Sequence, residues 1–133
     1  MFDTEVTIRE IMTTEIITVH PDDTLYKVEE IFDMFPIHHI LVVDRYELKG
    51  VITHLDLLRI YRKELTENLI DRTALLVKHA MTPNPLTLDC DDSIGLAADI
   101  FMANKFHSVP VLDGQELAGI LTNHDILRYA FGR

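Results

Sequence analysis

The chain carries a single cysteine, Cys90, among its 133 residues. One thiol excludes an internal disulfide and suits a reducing compartment. No apolar run approaches the roughly 20 residues needed to cross a bilayer. The opening "MFDTEVTIRE" is acidic and lacks the basic-then-apolar layout of a secretory leader. These features predict a cytoplasmic protein with no membrane association. Basic charge is scarce as well: residues 1–66 hold 7 basic and 13 acidic side chains, and residues 67–133 hold 5 and 9. Neither half has a basic stripe, which excludes the electrostatic footprint of a nucleic-acid binder and disfavours anionic membranes. A small anionic ligand stays open through local donors such as helix N-termini, backbone N–H groups and histidines.

What is present is a repeat. "ELKGVITHLDLLR" at residues 47–59 returns as "ELAGILTNHDILR" at 116–128. Sliding the chain against itself extends this to a gapless match at an offset of 69, from residue 9 to residue 59. Met12/Met81, Thr13/Thr82, Thr18/Thr87, Asp22/Asp91 and Asp23/Asp92 coincide, as do Ile31/Ile100, Phe32/Phe101, His38/His107, Val42/Val111 and Asp44/Asp113. Such self-similarity identifies a duplication and sets the unit of structure.

Each copy reads as strand, helix, strand, strand, helix. "IITV" and "PLTL" are short strand candidates, and "PDDT" and "CDDS" offer Asp, Thr or Ser as N-caps. In "TLYKVEEIFDMF" the apolar positions Leu25, Val28, Ile31, Phe32 and Phe35 form one helical face. "HILVVD" and "SVPVLD" are β-branched runs, each followed by a polar break and a second strand, "LKGVIT" or "LAGILT". "LDLLRIYRKEL" and "HDILRYAF" close the copies as helices. The boundaries predicted are a first repeat over 8–65, a connector over 66–76 with a helical turn, and a second repeat over 77–133. A unit of this size can hardly bury an apolar sheet face alone, so the expectation is two α/β repeats packed through their sheets about a pseudo-twofold axis.

The order M-T, strand, "DD", "V-h-D", then "G-h-h-T-x-x-D" resembles the cystathionine-β-synthase (CBS) domain, present twice as in a Bateman module. The resemblance spans about residues 8 to 131 and runs in fixed order through both copies. It implies a β-α-β-β-α unit, adenosine-type ligands in clefts between repeats, and a regulatory role. It is closest in layout to stand-alone members.

Thr53-x-x-Asp56 and Thr122-x-x-Asp125 support two compatible readings. A threonine N-cap with an acidic residue three positions on is a variant capping box. The resemblance adds that the Asp grips ribose hydroxyls while the Thr lies near phosphate. It places His38, His39, His107 and Ser108 at the phosphate end, where His39 and Ser108 depart from the basic residue common in the family. That departure weakens the case for a polyphosphate. Leu41 also replaces the proline kept at Pro110. Ile17, Thr18, Leu86 and Thr87 are core positions by pattern and flank adenine by resemblance. Thr13, Thr82, Ile37, Phe106, Leu55 and His124 complete the implied ligand-binding set. Gly50 and Gly119 mark close backbone approach within a strand.

Seven histidines invite a metal, but no zinc spacing is present and Cys90 has no cysteine neighbour, so no metal site is expected. No nucleophile elbow or acid–base constellation appears, so no enzyme and no required cofactor are expected. The resulting expectation is a regulatory, energy-sensing module whose effector is AMP, ADP, ATP, S-adenosylmethionine or NAD. It would form a homodimer and modulate an unknown partner protein. The alternative is a structural or oligomerisation module whose clefts take no ligand. Apolar helix residues Ile100, Phe101, Leu127 and Phe131 are candidates for the dimer face.

Overall fold

The computed structural model describes residues 5–67, 75–104 and 107–132. Compactness divides them into two α/β units. One is Ile17–Pro85; the other joins the described residues up to Ile16 with those from Leu86 onward.

The Ile17–Pro85 unit begins with β1 (Thr18–Val19), α1 (Leu25–Met34), β2 (His39–Asp44), β3 (Glu47–Thr53) and α2 (His54–Glu67). A short helix α3 (Val77–Ala80) and β4 (Thr82–Pro83) follow. Strand β1 runs parallel to β2, and β3 pairs antiparallel with both β2 and β4. The Thr24 hydroxyl accepts the Lys27 N–H at 3.2 Å and starts α1, as an N-cap should. Leu25 and Val28 on the apolar face are fully buried, and Ile31 and Phe32 pack against the same core. Phe35, expected on that face, falls outside it. The helix ends at Met34 because Phe35 precedes Pro36 and takes extended geometry, which leaves its ring partly exposed.

The second unit contains β5 (Leu88–Asp89), α4 (Ile94–Asn104), β6 (Ser108–Asp113), β7 (Glu116–Thr122) and α5 (Asn123–Ala130). Its strands repeat the pattern, β5 parallel to β6 and β6 antiparallel to β7. Both hairpins bulge at matching places, Val42/Val43 and Val111/Leu112. The exchange of proline for Leu41 therefore leaves the register unchanged. The first strands are shorter than "IITV" and "PLTL" predict; in the second copy Pro85 has no N–H to give a ladder. Ile100 and Phe101 do not form a free face. They pack against the buried cluster of Ile8, Leu88, Cys90, Ala97, Val109, Val111 and Leu121. Leu127 and Phe131 are exposed, at 51% and 71%.

Each unit is completed by the segment that precedes the other copy in sequence. The Ile8 N–H donates to the Asp92 carbonyl at 2.9 Å, the Ile94 N–H to Val6, and Thr7 bridges Ser93. Correspondingly the Val77 N–H donates to the Asp23 carbonyl at 2.8 Å, the Leu25 N–H to Leu75, and Leu76 bridges Thr24. Ile8 and Val77 are both fully buried, one in each core. The helical turn predicted for the connector falls largely on residues 68–74, outside the described residues.

Candidate functional site

In both units a central strand passes without a loop into the closing helix, and the junction carries the Thr-x-x-Asp motif. Asp125 is 3% exposed and Asp56 is 5% exposed, so each carboxylate must be satisfied by protein donors. The capping box supplies the first of these. The Thr53 N–H donates to Asp56 Oδ2 at 2.9 Å, and the Asp56 N–H donates to Thr53 Oγ1 at 3.2 Å. The Thr122 and Asp125 pair matches it at 3.0 Å in both directions.

A second hydroxyl arrives from the exchanged segment. Thr82 Oγ1 donates to Asp56 Oδ1 at 3.1 Å, and Thr13 Oγ1 donates to Asp125 Oδ1 and Oδ2 at 3.0 and 3.2 Å. Glycine makes this approach possible. A Cβ on Gly50 would stand 2.7 Å from the Thr82 carbonyl oxygen, and one on Gly119 would stand 2.6 Å from that of Thr13. The expected close backbone approach is therefore present at both glycines, and its object is the Met-Thr dipeptide.

Two residues missed by the sequence reading join the carboxylates one helical turn on. Arg128 Nη2 lies 2.8 Å from Asp125 Oδ1, whereas Arg59 Nη1 lies 3.7 Å from Asp56 Oδ1. Their signal was available, because Asp-x-x-Arg is identical in both copies and i,i+3 positions meet on a helix.

The remaining predicted residues spread around these centres. His39 is the Cα partner of Thr53, and Ser108 that of Thr122. His38 is exposed, with its ring edge-on to His54 at a centroid distance of 5.9 Å, and His54 in turn lies 4.0 Å from Phe32. His107 is exposed, and its carbonyl accepts the Asn123 N–H. Thr18 lies on β1 opposite Leu41, with an exposed side chain. Ile17 is half-buried; Leu86 is exposed and Thr87 half-buried just before β5. Ile37 packs against the core of its unit. Leu55 and His124 are exposed on the first turns of α2 and α5. Phe106 lies outside the described residues.

Ligand atoms of Asp89, Cys90 and Asp91 lie within 4.8 Å of one another, which is metal-ligand spacing. A cation already stands there: Arg9 Nη2 is 2.7 Å from Cys90 Sγ and 3.4 Å from Asp91 Oδ1, and its Nη1 is 3.6 Å from Asp113 Oδ2. Burial pushes the Cys90 thiol up, and the nearby guanidinium only partly offsets it. Such a thiol is a poor metal ligand. A cavity of about 420 Å³ opens beside Tyr26, Glu29, Glu30, Phe32, Asp33, His54 and Leu57, and it holds none of the predicted residues. Among the described residues no helix is long and apolar enough to cross a membrane.

The sequence profile of the CBS domain matches residues 8–63 and again residues 77–132. The chain belongs to the CBS domain family. Two curated relatives frame the match. A CBS domain-containing protein of Dictyostelium discoideum is 32% identical over 92% of this chain and 90% of its own length. Protein MJ1404 of Methanocaldococcus jannaschii is 30% identical over 97% of this chain. The chain spans only 32% of that protein and 22% of the inosine-5'-monophosphate dehydrogenase of the same organism. Among solved structures it is similar to CBSX2 in complex with AMP, at 26% identity and a TM-score of 0.82, covering 95% and 96% of the two chains. The same protein, from Arabidopsis thaliana, matches at 27% identity and a TM-score of 0.82 over 97% and 96% of the chains. The CBS domain pair of protein MJ0100, in complex with 5'-methylthioadenosine and S-adenosyl-L-methionine, matches at 26% and 0.73 over 96% and 97%.

Proposed function

We propose that this CBS pair is a non-catalytic regulatory module that binds an adenosine-containing ligand and thereby changes its association with a partner protein. The observation that carries the reading is the pair of buried carboxylates, Asp56 and Asp125, at equivalent strand-to-helix junctions. A buried carboxylate ringed by hydroxyls is suited to accepting the paired hydroxyls of a ribose. Thr53, Thr122 and the N-terminal ends of α2 and α5 then serve the phosphate. His38 and His39 stand on the phosphate side of one site, His107 and Ser108 on that of the other. Ile17, Thr18, Leu86 and Thr87 flank the base, with Ile37, Leu55 and His124 lining the remainder. Thr13 and Thr82, whose hydroxyls donate to the carboxylates, complete the ligand-binding set. AMP, ADP, ATP, S-adenosylmethionine and NAD are the candidate effectors, and a homodimer in the cytoplasm is the proposed working form. The functional repeats run over 8–65 and 77–133, joined by 66–76.

Similar CBS pairs crystallised with AMP, or with S-adenosyl-L-methionine and 5'-methylthioadenosine, support the ligand class. One observation favours a second reading, a structural module that takes no ligand. Both carboxylates already have protein donors and need no ligand to satisfy them. The test is direct. The purified protein is examined for a bound species absorbing at the adenine maximum, then screened for thermal stabilisation by the five effectors. A melting temperature unmoved by all of them, with no bound species, defeats the ligand reading and leaves the structural one.

A further inference from the structure

We propose that Arg128 is an internal competitor for Asp125, so that a ligand must displace its guanidinium before the carboxylate can accept ribose hydroxyls. This rests on the reading of Asp125 as a ribose acceptor. A carboxylate offers about four acceptor positions; three protein donors already use those of Asp125, and the paired hydroxyls of a ribose need two. Oδ2 accepts the Thr122 N–H, Oδ1 accepts Arg128 Nη2, and the one Thr13 hydroxyl proton is shared between the two oxygens.

These donors are not equally replaceable. The Thr122 N–H is fixed by the capping box. A threonine hydroxyl is donor and acceptor alike, so Thr13 can turn and accept from an incoming hydroxyl. A guanidinium only donates, so it cannot bridge to a ribose hydroxyl in that way. It must leave. Its side chain is 49% exposed and lines a cleft of about 260 Å³ with Glu10, Ile11, Asp125 and Tyr129, which gives it room to do so. Solvent on one side also limits the strength of the pair, which makes it a brake rather than a block.

The equivalent arginine is held more loosely. Arg59 stands 3.7 Å from Asp56, beyond hydrogen-bond reach, and its side chain is 68% exposed. The competition is therefore unequal, and Asp56 is the carboxylate that opens first.

Adenosine is the appropriate probe, because it carries the ribose hydroxyls without a phosphate that could attract the arginine. Calorimetric titration compares the wild type, Arg128→Met and Arg59→Met at low and high ionic strength. Methionine keeps an apolar stem of similar reach. Releasing a half-exposed ion pair is expected to tighten adenosine binding about threefold to fivefold in Arg128→Met, and by less than about twofold in Arg59→Met. Salt screens the competing pair, so wild-type affinity for this neutral ligand should rise with ionic strength, and Arg128→Met should lose most of that rise. Unchanged or weaker adenosine binding in Arg128→Met overturns the proposal while leaving the ligand reading standing. If that variant fails to fold, the wild-type salt series decides alone, and a flat or falling affinity overturns the proposal. Adenosine binding by none of the proteins defeats the ribose reading, and this proposal with it.

Discussion

Thr13 donates its hydroxyl to both carboxylate oxygens of Asp125, at 3.0 and 3.2 Å, across 112 positions of sequence. Thr82 donates to Asp56 Oδ1 at 3.1 Å in the other unit. In each case a threonine from the start of one copy completes the acidic centre at the end of the other. The duplication therefore exchanges its first segments, and the polar bond at the centre reports that exchange.

Replacing the hydroxyl by a methyl tests the bond with little change in shape. Thr13→Val is expected to lower stability by about 1 kcal/mol, the usual net worth of such a bond. Thr82→Val should cost less, because Thr82 is exposed and water can take its place. Urea unfolding of the two variants against wild type measures both. Equal, negligible losses would mean that the exchanged segments are held by backbone pairing alone.

Gly50 and Gly119 offer a sharper steric test. Alanine at either position shortens the unfolded ensemble's freedom and so favours folding by about 0.4–1 kcal/mol. Against that, its Cβ would stand within 2.7 Å of a backbone oxygen that also takes part in strand pairing. Overpacking against a part that cannot yield costs about 1–3 kcal/mol, so the clash wins. Both Gly→Ala variants should melt below wild type, in a calorimetric scan, and Gly119→Ala should do so at least as strongly as Gly50→Ala.

The sequence made some layers of this structure plain and hid others for physical reasons. The hairpins, α1 and the capping boxes follow from local rules, so Thr24, Thr53 and Thr122 could be placed from their neighbours alone. The exchanged segments could not. Which copy Ile8 or Val77 buries against is a long-range choice, and nothing in a repeat distinguishes packing on one's own copy from packing on the other. Arg59 and Arg128 were legible as an identical i,i+3 pattern with the acidic centres, but a surface charge on a helix ordinarily reads as solvated. Phe35 was misplaced because periodicity extended a helix that Pro36 stops.

Acid should expose the contribution of the turn before α1. Partial burial pushes the Asp23 carboxyl up, but the His20 N–H at 2.8 Å and the Lys27 ammonium at 3.1 Å pull it further down, so it titrates below the usual aspartate range. A carboxyl whose folded pKa is depressed adds stability above its unfolded value, about 3.9, and loses it as pH falls through the folded value. Asp23→Ala should therefore cost about 1 kcal/mol near neutrality, from the lost backbone bond and ion pair. The gap between variant and wild type should narrow below about pH 4. Chemical denaturation at stepped pH gives the curve, and a gap that widens in acid would reverse the assignment.

The two acidic centres should differ in their response to AMP. Exchange of aspartate for asparagine keeps a carbonyl for the capping N–H but replaces one acceptor oxygen by a donor, which opposes a ribose hydroxyl. A charge-assisted bond is worth about 1.5–3 kcal/mol, so each exchange should weaken binding at its own centre about tenfold or more. On the proposed reading, Asp56 has His38 and His39 on its phosphate side, two imidazoles, where Asp125 has His107 and Ser108. Its arginine is also the more loosely held, at 3.7 Å against 2.8 Å. Both differences point the same way. Asp56→Asn should remove the tighter AMP binding event in a calorimetric titration, and Asp125→Asn should leave that event and remove a weaker one. Comparison of the melting temperatures of the two variants guards against loss of fold. If Asp125→Asn removes the tight event while Asp56→Asn leaves it intact, the ranking of the two centres is wrong, and the histidine pair is not what draws the phosphate.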